Sequence, residues 1–380
     1  KTTAQSRDSL PALCVEAPDA GMEGGTSSHA GLGLLGKAGL TLGGCFLGGC
    51  CLVSMRRLQR ASAARRRLQD LISLAVLGGE ARVVITGASS GIGAELARQF
   101  AKNTCVSLLL GCRDLEKTQK VVARISSKGP TPPRLVRLEM LDPDSVQSFA
   151  DEAHEFLQGG ADGFRMLINN AGVMRPVLAA KPSGASSADM TWQVNFLSPY
   201  LLTEMVGYHR QKAKCANPVR VVHVSSRLEK RSNLDDELLK SIAAGSPGEN
   251  QYADSKRAGQ LWISVRAQSL AFKSGLFLHA STPGMVNTDL GRNTMASWLW
   301  PLTHPLRWLL LKSPVEGAYS AVAVGLRDQA LSNFGRYFDG EQEVEDLVME
   351  RMGEKRLALE VVKWAASVTA LEQRTAGYDR

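Results

Sequence analysis

Arg82-Val-Val-Ile-Thr86-Gly87-Ala-Ser-Ser-Gly91-Ile-Gly93 is a short β-branched run that ends in a glycine-rich turn, and a helical pattern opening on Ala94-Glu95-Leu96 follows at once. β-branched residues suit a pleated, buried strand, while glycines permit a tight turn and let a ligand approach the backbone. The free N–H groups at the start of the following helix would then face negative charge. Strand, glycine turn and helix in this order make Thr86, Gly87, Ser89, Ser90, Gly91, Ile92 and Gly93 candidates for holding the pyrophosphate of a dinucleotide.

Outward from that turn, short apolar runs alternate with amphipathic stretches, the sequence form of a parallel sheet covered on both faces. Strands are expected near 82–86, 105–110, 134–139, 165–169, 219–224, 276–281 and 335–338, and helices near 92–102, 114–127, 143–157, 189–214, 250–274 and 314–327. The expected fold is α/β: a Rossmann-type, doubly wound, seven-stranded parallel sheet with ligands at the carboxyl ends of the strands.

The second strand ends Leu110-Gly111-Cys112-Arg113-Asp114. An acidic side chain at this strand end would accept bonds from the ribose 2′-OH of NAD, whereas an arginine pairs with a 2′-phosphate. Cys112 holds the acid position and Arg113 follows, so NADP(H) is favoured over NAD(H). Two alternatives stay open: Asp114 reclaiming the 2′-OH, or Asp114 serving as the N-cap of the next helix.

Further along, Ser225-Ser226 closes the fifth strand and Tyr252-Ala-Asp-Ser-Lys256 opens a long helix. A tyrosine and a lysine four residues apart share one helix face, where the ammonium could draw the phenol pKa down from about 10. Alone the pair means little. It gains weight by following the glycine turn, Asn169-Asn170-Ala171-Gly172, Asn195 and the serine pair in one order.

TGASSGIG, GCRD, LINNAGVM, WQVNFLSPYLLTE, VVHVSS, YADSK and TPGMVNTDL together resemble the short-chain dehydrogenase/reductase family, in its branch of retinol dehydrogenases and WW-domain oxidoreductases. The resemblance covers 82 to about 340. It implies that Tyr252 gives a proton to a carbonyl oxygen, or takes one from a hydroxyl, as hydride passes at the nicotinamide. It further implies that Lys256 binds the nicotinamide ribose, that Ser226 holds the substrate oxygen and that Asn195 orders a relay water. Asn169, Ala171 and Gly172 would line the dinucleotide and stabilise the fourth strand, and Pro283, Gly284 and Thr288 would orient the nicotinamide end. Glu139-Met140 stands where the family has Asp-Leu beside the adenine, keeping the carboxylate one methylene longer. Thr282 and Phe196-Leu197-Ser198 replace the histidine motifs of retinol dehydrogenases. The implied activity is NADP-dependent oxidoreduction of a lipophilic alcohol, aldehyde or ketone. The alternative is a redox-sensing or assembly protein that binds NADP(H) with little turnover.

Composition agrees with a globular enzyme. Hydrophobic residues make up 44% of the 380 and charged residues 22%, which argues against whole-chain disorder and a polytopic membrane protein. Seven cysteines without a CxxC pair give no support to a disulfide framework or structural zinc, so no metal is expected and a reducing compartment fits. The net charge of +8 forms no basic stripe with interleaved aromatics, so no nucleic-acid partner is expected. Instead it concentrates in Arg56, Arg57, Arg60, Arg65, Arg66 and Arg67, flanking the uncharged run 38–55. That run is near the lower length for a membrane crossing, yet the acid-free, arginine-rich stretch 24–69 also reads as a cleavable organellar leader. Membrane association in the endoplasmic reticulum or an organellar envelope, with the catalytic domain on the reducing side, is therefore one expectation; a soluble plastid or mitochondrial enzyme is the other. Cys45, Cys50 and Cys51 would suit S-acylation or simple apolar filling. Trp298, Trp300 and Trp308 among leucines in 285–312 fit a lid over an apolar substrate, a membrane contact or a homodimer contact. The expected division is an extension over 1–80, a catalytic domain over 81–340 and a helical tail over 341–380.

Overall fold

The computed structural model describes residues 33–125, 128–159, 163–174, 190–246, 248–290 and 303–378, with side chains from residue 53 onward. Eight strands form one sheet: β1 Ala81–Thr86, β2 Val106–Cys112, β3 Arg134–Arg137, β4 Arg165–Asn169, β5 Val219–Val224, β6 Leu276–Thr282, β7 Arg336–Asp339 and β8 Gln342–Asp346. Their order is β3-β2-β1-β4-β5-β6-β7-β8, with every pairing parallel except β7 with β8. The seven expected strands are all present in parallel. The chain reverses its direction of winding between β1 and β4, which opens the ligand crevice above their carboxyl ends.

β2 and β4 are buried along their whole length, as near-continuous apolar strands must be when helices cover both sheet faces. One face carries Leu109, Phe149, Leu167, Tyr200, Val221 and Trp262; the other carries Val83, Leu96, Phe100, Met166, Val222 and Val322. Each cluster is continuous across several strands, so the sheet divides two cores instead of enclosing one.

Two expectations change. Residues 341–346 are not helical: Gln342–Asp346 pairs antiparallel with β7, and only then do helices Lys355–Val368 and Leu371–Ala376 follow. The polar side chains of this stretch suit an exposed edge strand as well as a helix, and the open N–H and C=O groups of β7 select the strand. Nor does the extension end at residue 80. The helix Gly33–Ala75 enters one compact unit at Val53, whose predecessor unit ends at Leu52. Leu68 and Ile72 of that helix are fully buried in the core beside Leu96 and Phe100. The Gln69 amide donates to the backbone and side-chain oxygens of Gln99 at 3.0 and 2.7 Å.

The run 38–55 lies in this helix, but its side chains through residue 52, including Cys45, Cys50 and Cys51, are outside the described residues. So are Trp298 and Trp300. Among the described residues no helix is long and apolar enough to cross a membrane.

Candidate active site

β1 delivers the chain into the glycine turn with Thr86 buried, and three chain segments meet there. The Thr86 hydroxyl accepts from the backbone N–H groups of Asn170 and Ala171, both at 3.1 Å. The Asn170 amide donates to the Thr86 carbonyl at 2.9 Å and to that of Gly87 at 3.3 Å. Gly87 and Gly91 have φ of +72° and +57°, and a Cβ on Gly93 would stand 2.3 Å from the Gly87 carbonyl oxygen. These contacts explain all three glycines: two for backbone sign, one for close approach. Ser90 sits at the N-cap of the helix Gly91–Phe100 with no capping bond from its hydroxyl, and that helix has no acidic residue in its first turn. Ser89 and Ser90 are partly exposed beside it, whereas the Ile92 side chain turns away and packs against Gly317.

The loop after β6 closes over this turn. Gly284 has φ +74°, and Thr288 lies so near Gly91 that a Cβ there would meet its methyl at 3.1 Å. Thr288 therefore stands beside the glycine turn, while Gly284, next to Pro283, lies against the Lys312 side chain. At the end of β2, Cys112 is 3% exposed and Arg113 is exposed. Asp114 caps the helix Leu115–Ala123, accepting from the Lys117 N–H at 2.8 Å, so one of its carboxylate oxygens is engaged by the helix. Glu139 is partly exposed after β3 and turns one oxygen toward the Leu141 N–H at 3.4 Å. The Met140 carbonyl accepts from Ser198 at 2.5 Å.

The Tyr–Lys helix, Gln251–Ser274, lies against the end of β5 and the two serines that follow it. Tyr252, Lys256 and Gln260, at i, i+4 and i+8, occupy one helix face. Each engages one of three consecutive residues. Lys256 Nζ donates to the Val224 carbonyl at 2.7 Å, Gln260 Nε2 donates to Ser225 Oγ at 3.1 Å, and the Ser226 hydroxyl faces the Tyr252 phenol, favouring its ionised form. Ser225 thus belongs to the scaffold and Ser226 to the cleft, which separates the two members of the pair. Ser226 also caps the short turn Arg227–Arg231 by accepting from the Leu228 N–H at 3.2 Å.

Asn195 sits in a π-helical turn, Gln193–Leu197, and is fully buried. Such wide turns interrupt the regular ladder and recur at functional sites. Its amide clasps Val173, accepting from the N–H at 2.8 Å and donating to the carbonyl at 2.9 Å. A Cβ on Gly172 would come within 3.4 Å of Asn195 Oδ1 and 3.8 Å of Lys256 Nζ, so Asn195, Gly172 and Lys256 are neighbours.

The electrostatics depart from the sequence expectation. Burial pushes the Tyr252 phenol above its ordinary pKa, and the Ser226 hydroxyl only opposes this. The depression expected from Lys256 does not prevail: its Nζ lies 5.9 Å from the tyrosine ring centroid and is committed to Val224. Burial lowers Lys256 itself to about 8, leaving it an ammonium at neutral pH. Tyr252 is then a protonated phenol beside a cation and a serine hydroxyl, an arrangement able to donate a proton.

Asn169 is the last residue of β4. Its side chain is buried and donates to Thr203 at 2.9 Å, bracing the helix Ser198–Lys212, while its neighbour Asn170 braces the glycine turn. Successive strand residues point to opposite faces, so only one of two adjacent asparagines can reach the turn. That alternation was the available signal for Asn170. Gln260 was legible too, as the next same-face position after Tyr252 and Lys256.

Residues 81–235 match the model of the short chain dehydrogenase family. Mouse "Retinol dehydrogenase 13" is 31% identical over 264 residues, covering 69% of this chain and 76% of its own length. The chain belongs to the short-chain dehydrogenase family. It is an oxidoreductase of that family. Bovine "Dehydrogenase/reductase SDR family member 13" is 32% identical over 267 residues, covering 70% of this chain and 67% of its own. Among solved structures, an uncharacterized protein from Mycobacterium paratuberculosis superposes with a TM-score of 0.56 at 21% identity, over 77% of this chain and 94% of its own. A short chain dehydrogenase from Shigella flexneri, complexed with NADP, gives 0.51 at 20% identity, over 70% and 100%. These two structures match in fold.

Proposed function

We propose that the protein is an NADP-dependent reductase of lipophilic aldehydes or ketones, with Tyr252 as proton donor, Ser226 as the substrate-oxygen anchor, Lys256 as the ribose-binding cation and Asn195 as the anchor of a proton relay. The observation that carries it is the pairing of Val224, Ser225 and Ser226 with Lys256, Gln260 and Tyr252. It turns one serine and one phenol into the same cleft and leaves the phenol protonated at neutral pH. NADP(H), when bound, supplies the hydride. The residues present fit that group: Gly93 lets the start of the helix pack directly on the Gly87 carbonyl and the Asn170 amide, and Ser90 offers an uncommitted hydroxyl at that helix N-terminus. Glu139, with Met140, is suited to the adenine, and Ala171 and Gly172 to the wall beside the ribose.

Preference for the 2′-phosphate rests on the end of β2. Cys112 offers no carboxylate, the Asp114 carboxylate already caps a helix, and Arg113 is exposed there. On the substrate side, Ser226 and Tyr252 supply two hydroxyls to one carbonyl oxygen, which orients it and stabilises the negative charge that develops there before the phenol's proton is transferred.

Lipophilicity and membrane association are supported by the short helix His304–Leu310. Leu306 and Leu310 are 59% and 68% exposed, and Trp308 packs against the Arg57 guanidinium at 4.7 Å from its ring centroid. The basic helix thereby abuts the lid region, and an apolar surface with arginines beside it suits a membrane interface. Two named relatives are retinol or related dehydrogenases, in keeping with an apolar alcohol or aldehyde.

The experiment is an activity panel with NADPH against retinaldehyde, long-chain aldehydes, steroids and quinones, run in parallel on Tyr252→Phe. Turnover is expected for at least one apolar carbonyl and a loss of about 10²–10⁴-fold in the variant, with NADPH affinity unchanged. No turnover by the wild type across the panel, or full activity in the variant, refutes the reading.

A further inference from the structure

The C-terminal segment does more than cover the sheet. Arg351, between β8 and the helix Lys355–Val368, is 6% exposed and points at the back of the Tyr–Lys helix. Its Nη2 donates to Gln260 Oε1 at 2.7 Å, and the same guanidinium grips Glu345 through two bonds, one of them Nη2 to Oε2 at 2.7 Å. Glu229, 1% exposed on the turn that starts at Ser226, faces Arg351 at 3.7 Å and Arg257 at 3.4 Å. The buried cations thus meet the carboxylates of three segments: Glu229 after β5, Glu345 on β8 and Glu354 at the next helix.

We propose that Arg351 is a positioning residue for the Ser226–Tyr252 pair, acting through Gln260 and Ser225. This rests on the oxidoreductase reading of that cleft. A guanidinium has donors only, whereas a side-chain amide can present either end. By donating to Oε1, Arg351 forces the Gln260 NH2 toward Ser225, whose hydroxyl oxygen accepts from it. Were the amide reversed, a carbonyl oxygen would face Ser225, and Arg351 would meet an NH2 with no acceptor to offer. With Ser225 held on the scaffold side, the next residue, Ser226, is presented to Tyr252 on the other. The Glu229 contacts fix the turn beginning at Ser226 from its far end. One arginine from the tail therefore secures both sides of the serine.

The test uses the full chain with Arg351→Met, Arg351→Lys and Gln260→Met, and reads two quantities. The first is the ionisation of Tyr252, followed by the near-ultraviolet absorbance of tyrosinate as the difference from a Tyr252→Phe background. The second is steady-state kinetics with NADPH and retinaldehyde. Arg351→Met and Gln260→Met are both expected to move the Tyr252 titration to higher pH, because the opposing effect of the Ser226 hydroxyl is weakened. They should lower kcat about tenfold, the scale of one lost hydrogen bond, with the KM for NADPH unchanged. Arg351→Lys should recover part of both, since one ammonium cannot serve Gln260 and Glu345 with the same geometry. Should Arg351→Met fail to fold, Gln260→Met decides, as a near-isosteric change that removes only the amide. A Tyr252 titration matching the wild type in folded Gln260→Met overturns the proposal. Because that titration needs no turnover, a wild type inactive on retinaldehyde would count against the proposed function and leave the positioning proposal to the spectroscopic result.

Discussion

The glycine turn at 87–93 and the strand–helix pairing at 224–226 with 252–260 are built on opposite principles. The turn is specified by what is missing: no side chain fits at Gly93, and two residues adopt φ that others resist. The pairing is specified by what is present, three polar contacts on three consecutive residues. A site made by exclusion tolerates almost no substitution but carries no ionisable side chain among its seven residues. A site made by hydrogen bonds tolerates isosteric changes, yet it responds to pH and to distant partners. Cofactor binding and proton transfer should therefore fail in different ways.

The largest expected effect breaks the first half of this comparison. Gly93→Ala drives a methyl to 2.3 Å from the Gly87 carbonyl oxygen and 2.5 Å from the Asn170 amide, both part of the rigid three-way junction. NADPH affinity should fall more than about 100-fold, with a stability loss of roughly 1–3 kcal/mol from overpacking. Fluorescence titration and thermal melting measure the two, and an affinity within threefold of wild type would show the turn to be softer than its contacts imply.

Acid should act on the other half. His223 on β5 is 1% exposed, packed under Gly259 and beside Trp262, and neither ring nitrogen has a hydrogen-bond partner among the described residues. Burial first, then Lys256, lowers its pKa from 6.5 to about 3. Between those values the unfolded chain binds the proton and the folded chain does not, so stability is fully present above pH 6.5 and declines as pH falls. The loss is at most about 4 kcal/mol near pH 3. His223→Met should flatten the dependence of the melting temperature on pH between 6.5 and 4; an unchanged slope would assign the acid sensitivity elsewhere, to the half-buried His154 or the buried His279, both lowered to about 4.

Arg113→Ala sharpens the distinction within cofactor binding. It should weaken NADPH about tenfold, near 1.4 kcal/mol, while leaving NADH unaffected. Equal losses for both cofactors would remove Arg113 from the 2′-phosphate. The smallest effect is expected at Glu341→Gln, which breaks the exposed pair with Arg67 at 3.4 Å between the tail and the basic helix. Chemical denaturation should register under about 0.5 kcal/mol, since exposed pairs are screened and lose side-chain entropy.

Which parts of this were legible in the chain follows from the range of the interactions. The glycine turn, the seven parallel strands and the Tyr252–Lys256 face are encoded within a few residues, where steric and periodic constraints act. The resemblance picked Ser226 over Ser225, but the physical reason needed the long helix laid against the strand, because two adjacent serines differ only in what each side faces. The strand at Gln342–Asp346 was illegible for the same kind of reason: its polar residues accept either conformation, and the unpaired edge of β7 decides. Leu68 and Ile72 read as part of an arginine-rich extension until the core beside Leu96 buried them.

The sequence by itself determined the doubly wound sheet, the glycine turn and the residue types of the candidate site, since each depends on local backbone preference and on side-chain period. Only the tertiary structure decided that burial raises the Tyr252 phenol, that Asn170 and not Asn169 braces the turn, and that Arg351 reaches Gln260 across 91 positions of chain. Desolvation and hydrogen-bond direction depend on what surrounds a group in space, and neighbours that far apart in sequence leave no periodic trace of their meeting.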